Sequence, residues 1–226
     1  YPKEILRRAR NIVEVLDQKN IEKTDAIAHS IGAVDTVVAA MLRPEKFRNI
    51  VFYGAAGLIG KDTFPRLLKG FAGQGKRAET LKEIPCHKAE DGEEVPGLKP
   101  IPITETEKKV AAKAATEALK YFAKNPIRAL KEAMALTNEK SQIEEMLRYL
   151  HNEKKIGIVI MHAVDDPVFD QNTVRKMLKG DMIDGYLSVR GGHGEIGNHP
   201  ELYVDAADQM FTALEKKELK KLENAA

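Results

Sequence analysis

Two apolar segments that read as strands, Asp25-Ala26-Ile27-Ala28 and Asn49-Ile50-Val51-Phe52-Tyr53, flank a run in which Ile31, Val34, Val37, Val38 and Met41 recur at helical spacing. Strand, helix and strand within about 30 residues make a parallel crossover unit, because parallel neighbours need a connection of at least a dozen residues. The second strand is apolar without alternation, which predicts burial on both faces and therefore helices on both sides of the sheet. Arg43-Pro44 ends the helix, since the residue before a proline is pushed out of helical backbone, and Gly54 closes the second strand.

The rest of the chain fits around that unit. Residues 2–19 form an amphipathic helix, with Ile5, Ala9, Ile12, Val13 and Leu16 on one face. After Gly60 the rhythm changes. Residues 62–71 are helix-like, and residues 85–102 carry Pro85, Pro96, Pro100, Pro102 and the acidic run Glu90-Asp91-Gly92-Glu93-Glu94, which reads as a long loop. Thr104-Glu105-Thr106-Glu107 is a capping box for a helix ending near Lys124; Asn125-Pro126 opens another, and a third runs from about Glu139 to His151. The sheet resumes at Ile156–Met161, followed by a helix at 171–179, a last strand at 182–189 and a C-terminal helix from Pro200 to about Leu222. The expected fold class is α/β: a mostly parallel sheet with flanking helices, core segments at 1–60 and 154–226, and a helical cap at 61–153.

Composition closes off several functions. Lys and Arg total 36 against 34 Asp and Glu, a net charge of +2, so no basic field exists for a nucleic-acid backbone. No apolar run approaches the roughly 18 residues of a membrane-spanning helix. One cysteine, Cys86, excludes an intramolecular disulfide framework and a cysteine-built zinc site, and fits a reducing, cytoplasmic compartment.

Three local signals carry chemistry. Ala28-His29-Ser30-Ile31-Gly32 lies at a strand-to-helix junction, with small residues two before and two after the serine. That is the pattern of a sharp turn that lifts a serine hydroxyl above a sheet, at the positive end of the following helix. A plain helix N-cap accounts for the same pentapeptide. His162-Ala163-Val164-Asp165-Asp166-Pro167-Val168 follows a strand, where parallel sheets place their site residues; a loop-capping aspartate is the simpler reading. Gly191-Gly192-His193-Gly194 follows the last strand, with a tight turn as its simpler reading. Together the three are more specific than apart. A serine hydroxyl is a weak nucleophile and needs an imidazole to take its proton and a carboxylate to orient that imidazole.

On these motifs and their order Ser, Asp, His, the sequence resembles the α/β-hydrolase family, specifically its capped serine hydrolases, from about Leu16 to Leu214. In the cap the likeness is one of architecture only. The family's acid loop, laid on His162, makes Asp166 the acid and Asp165 its neighbour, with Ala163 in place of a glycine; Ala28 likewise replaces the commoner glycine of the elbow. The resemblance implies acyl transfer through an ester of Ser30. His193 acts as general base, Asp166 orients it, and the backbone N–H of Ile31 is one oxyanion donor. It implies a small-molecule carboxylic ester as substrate, no cofactor and no metal. Lactonase, thioesterase, aminopeptidase or carbon–carbon bond hydrolase activity stays open, as does a non-catalytic binding protein on the same scaffold.

The family sheet has eight strands, and only its last four are legible. The resemblance places the other half, with the loop supplying the second oxyanion donor, before Tyr1. On that expectation the strand at 25–29 has an open apolar edge that pairs with a preceding segment or another copy of the chain, or aggregates. The 226 residues alone are then poorly soluble and nearly inactive.

Two further patterns carry less. His193, Glu195 and His199 lack the spacing of a helical metal motif, and Gly54-Ala55-Ala56-Gly57-Leu58-Ile59-Gly60-Lys61 has alanine where a phosphate loop needs glycine and Asp62 where it needs Ser or Thr. His29, inside the elbow, is expected to pack or hydrogen-bond beside the site rather than act in catalysis.

Overall fold

The computed structural model of the protein describes residues 2–60, 63–73, 87–88, 94–95, scattered positions between 109 and 131, 143–178, 181–189 and 191–225. The capping box at 104–107 and most of the expected cap fall outside these residues.

Helix α1 (Lys3–Gln18) leads to strand β1 (Thr24–His29), helix α2 (Ile31–Leu42), a single 3-10 turn at Pro44–Lys46 and strand β2 (Phe47–Tyr53). Helix α3 (Phe64–Gly73) follows, then a two-residue antiparallel pair, β3 (His87–Lys88) with β4 (Glu94–Val95), within the segment read as loop. Helix α4 (Glu144–Asn152), strand β5 (Gly157–Ala163), helix α5 (Gln171–Met177), strand β6 (Gly185–Val189), helix α6 (Glu195–Asn198) and helix α7 (Pro200–Ala225) complete the order. Strands β1, β2, β5 and β6 form one parallel sheet in that spatial order, with β1 and β6 as its edges among the described residues.

The central strands explain the two-sided burial. Along β2, Ile50 and Phe52 enter one core with Ala33, Val34 and Val37 of α2 and Ile5 and Ala9 of α1. Val51 and Tyr53 point the other way, into a second core with Val159 and Met161 of β5 and Tyr203, Ala207 and Leu214 of α7. Successive side chains of a strand face opposite sides, so an unbroken apolar run needs a helical layer on each. On the edge strand the pattern relaxes: Ala28 is buried, while Ile27 is 38% exposed.

Ile143, Leu147 and Leu150 of the α4 segment are fully buried in the first core beside α2, so this helix is part of the core layer. Apolar periodicity marks a buried face but not the body it is buried against. The last strand begins at Gly185, not at Met182. Met182 is a buried core residue ahead of the strand, and Asp184 holds to Ile158 twice, its backbone N–H donating to the Ile158 carbonyl and its carboxylate accepting from the Ile158 N–H. Among the described residues no helix is long and apolar enough to cross a membrane.

Candidate active site

The C-terminal ends of β1, β2, β5 and β6 lie side by side, and the loops leaving them gather the candidate side chains. Ser30 follows β1 directly, with φ +55 and ψ −124, a conformation L-residues avoid. Such strain persists only where the surroundings over-determine it. Here the backbone N–H of Ser30 donates to the carbonyl of Tyr53 and its carbonyl accepts from Ala56, so the turn is stitched to the end of β2. Ala28 is buried, as a tight turn demands, but a Cβ on Gly32 would meet nothing within 4 Å. Among the described residues the surroundings of Gly32 therefore do not impose the smallness expected of it.

Ser30 Oγ is 2.8 Å from Nε2 of His193, and Nδ1 of His193 is 2.9 Å from Oδ2 of Asp166. A carboxylate only accepts, so Nδ1 carries the proton and the lone pair of Nε2 faces the serine hydroxyl. The other oxygen of Asp166, Oδ1, accepts from the backbone N–H groups of Val168 at 2.8 Å and Phe169 at 2.9 Å. Burial pushes the Asp166 carboxyl up. The hydrogen bond and charge of His193 and the Phe169 amide outweigh that and hold it below the usual carboxylate range. Asp165, its neighbour in the sequence reading, donates its backbone N–H to the carbonyl of Gly191.

His193 is 3% exposed and walled by aromatic edges. Phe169 meets its ring edge-on at 5.0 Å and Phe71 of α3 at 6.0 Å. Phe71 itself is 42% exposed and stands beside the site. Helix α3 is seated there through Gly70, where a Cβ would come within 2.6 Å of the carbonyl oxygen of Pro167. Beneath the acid loop the wholly buried His162 donates from Nε2 to the carbonyl of Phe169, and burial pushes its imidazole down. The sequence reading gave no place in the site to Phe169 or Tyr53, whose positions depend on packing between distant segments. Among the described residues no group of three metal-ligating side chains is found.

The chain has the α/β-hydrolase fold. It resembles an α/β-hydrolase enzyme from the metagenome of sediments of the Mar Chica lagoon, Morocco, at 14% identity and a TM-score of 0.50, over 92% of this chain and 70% of that one. A carboxylesterase of the thaumarchaeon Nitrososphaera gargenis gives 13% identity and a TM-score of 0.55, over 94% and 73% of the two chains. A serine hydrolase involved in carbazole degradation gives 21% identity and 0.54, over 92% and 71%. No protein-family model matches the sequence, and no curated protein matches it.

Proposed function

We propose that the protein is a serine hydrolase that cleaves a carboxylic ester through an acyl-enzyme. The observation that carries this reading is the file of hydrogen bonds from Ser30 Oγ through the His193 ring to Asp166. Nε2 of His193 takes the hydroxyl proton as Oγ attacks the acyl carbon. The carbonyl oxygen becomes an oxyanion, accepting from the N–H of Ile31, one of the first four N–H groups of α2 that a helix leaves without an internal partner. The imidazolium then returns its proton to the departing alcohol. Water enters, gives a proton to the same nitrogen and attacks the ester of Ser30; the imidazolium then returns that proton to Oγ as the acid leaves. Throughout, Asp166 keeps its charge and steadies the cation on His193.

In the same proposal residues 61–153 contribute a cap over the site. The seating of Gly70 on the acid loop and the half-exposed Phe71 beside His193 support an apolar approach from that side. The burial of Ile143 and Leu147 in the core supports a reading in which the covering part of this segment ends before residue 143. That solved structures of the same fold include a carboxylesterase and a serine hydrolase is consistent with the assignment.

The test is labelling with a fluorophosphonate probe, which reacts only with an activated serine. The wild type labels and Ser30→Ala does not. A wild type that stays unlabelled means a binding protein on a hydrolase scaffold. A panel of esters, lactones and thioesters then sorts the acyl chemistry.

A further inference from the structure

The histidine loop is held from below by two side chains that the reaction scheme does not use. His29 and Tyr53 are lateral partners at the ends of β1 and β2. Nε2 of His29 donates to the backbone carbonyl of His193 at 2.7 Å, and the Tyr53 hydroxyl donates to the carbonyl of Gly192 at 2.6 Å. Carbonyls accept only, so His29 carries its proton on Nε2, and the one hydroxyl proton of Tyr53 goes to Gly192. The ring of Tyr203 packs against that of Tyr53 at 4.8 Å. The ring of His29 lies between the two, 5.3 Å from Tyr53 and 4.8 Å from His193.

Both donors keep their protons under ordinary conditions. Burial, and then the neighbouring His193, press the His29 imidazole down to about 4, so it is neutral and keeps its single donor. Burial pushes the Tyr53 phenol up, so it remains a donor. The loop needs such anchors because its own backbone is permissive. Gly191, at φ +105, and Gly192 precede the imidazole, and glycine has more backbone freedom than any other residue.

We propose that His29 and Tyr53 are positioning residues for His193: by pinning two consecutive carbonyls of the loop to adjacent strand ends, they hold the imidazole on the line between Ser30 and Asp166. The kinetic consequence rests on the hydrolase reading; the structural consequence does not. Misplacing a reacting group by about 1 Å costs on the order of 100-fold in rate, so the clamp acts on kcat and leaves KM alone.

The experiment uses the full chain and three variants. Tyr53→Phe removes one hydroxyl, His29→Leu removes the donor, and His29→Gln returns an N–H at similar reach. The first readout is the low-field proton NMR signal of the His193 Nδ1–H bonded to Asp166, which needs no turnover. It is retained in wild type and His29→Gln, and shifted or lost in His29→Leu and Tyr53→Phe. The second is ester hydrolysis, where the latter two variants lose about 10- to 100-fold in kcat with KM within about twofold. An unchanged signal in His29→Leu and Tyr53→Phe overturns the clamp. So does equal loss in His29→Gln and His29→Leu, which marks ring packing instead of the donor as the cause. A wild type that resists the fluorophosphonate, while its NMR signal still responds to these variants, ends the hydrolase reading and leaves the clamp standing.

Discussion

A methyl group built on Gly54 would stand 3.1 Å from Nδ1 of His193 and 3.2 Å from Oδ2 of Asp166. Residue 54, which closes β2, therefore sets how closely the carboxylate and the imidazole approach the sheet. Its backbone is left-handed, φ +50, and its N–H donates to the carbonyl of Met161. Gly54→Ala meets two penalties. The left-handed conformation costs roughly 1–2 kcal/mol for a residue with a Cβ, and the Cβ pushes against the hydrogen bond it faces. Thermal unfolding should show a loss of about that size. Ester turnover should fall by about 100-fold if, as proposed, the displaced imidazole is the general base. Turnover at the wild-type rate would mean that the acid–base pair tolerates displacement.

The two adjacent aspartates should behave differently. Asp166 is wholly buried in its side chain and accepts from His193, Val168 and Phe169. Asp166→Asn keeps the shape but presents an amide to Nδ1 of His193. That favours the wrong tautomer and should lower kcat by about 10,000-fold. Asp165→Asn should stay within a few-fold of wild type. The measurement is kcat for both variants on one ester, and comparable losses would reject the assignment of the acid to residue 166.

Much of this arrangement is legible in the sequence, for identifiable reasons. The unbroken apolar run Ile50–Tyr53 can only be a strand covered on both faces, and a helix pattern directly before it makes the crossover parallel. The serine, aspartate and histidine each sit at the end of a readable strand, and a parallel sheet brings such ends together. What the sequence hides is what depends on tertiary packing. Tyr53 reads as a core aromatic, and nothing local shows that its hydroxyl reaches Gly192, 139 residues on. Leu147 and Leu150 have the periodicity of any amphipathic helix, and that pattern does not say whether they face a cap or the main core. Met182 is apolar because it is buried, not because it is in a strand.

Acid should weaken the fold from the histidines first. Burial lowers His29 to about 4 and lowers His162, so both are neutral in the folded chain where an unfolded chain would already be protonated. Below an unfolded pKa of about 6.5 the unfolded state binds more protons, so stability falls as pH drops below about 6.5, for His29 down to about 4, by at most about 1.4 kcal/mol per pH unit for each group. Asp166, held below its ordinary value, adds a further loss only as pH falls below about 4 and its carboxylate protonates. Unfolding midpoints measured across this range should decline in wild type and decline less in His29→Gln. Identical slopes in the two would remove His29 from the acid response.

The contact between α1 and α2 contains an ion pair that should be replaceable. Nε of Arg8 donates to Oδ2 of Asp35 at 2.7 Å, with the two side chains 24% and 9% exposed. The pair is incompletely satisfied: Nη2 of Arg8 and Oδ1 of Asp35 are buried without a hydrogen-bond partner. Burial raises the Asp35 carboxyl above its ordinary range, and the hydrogen bond and charge of Arg8 recover only part of that. Desolvation therefore outweighs attraction at this site. Arg8→Met should destabilise by about 3 kcal/mol, because it strands a buried carboxylate. The raised carboxyl of Asp35 in that variant takes up its proton first in the folded chain, so stability should decrease as pH rises from about 4 toward neutrality. Asp35→Leu should cost less, about 1 kcal/mol, because the partly exposed guanidinium can turn to water. The double variant Arg8→Met with Asp35→Leu should match or exceed wild type in thermal stability, since apolar side chains of similar volume fill the space without a desolvation cost. A double variant less stable than either single one would show that the pair contributes specific structure to the helix contact beyond its charge.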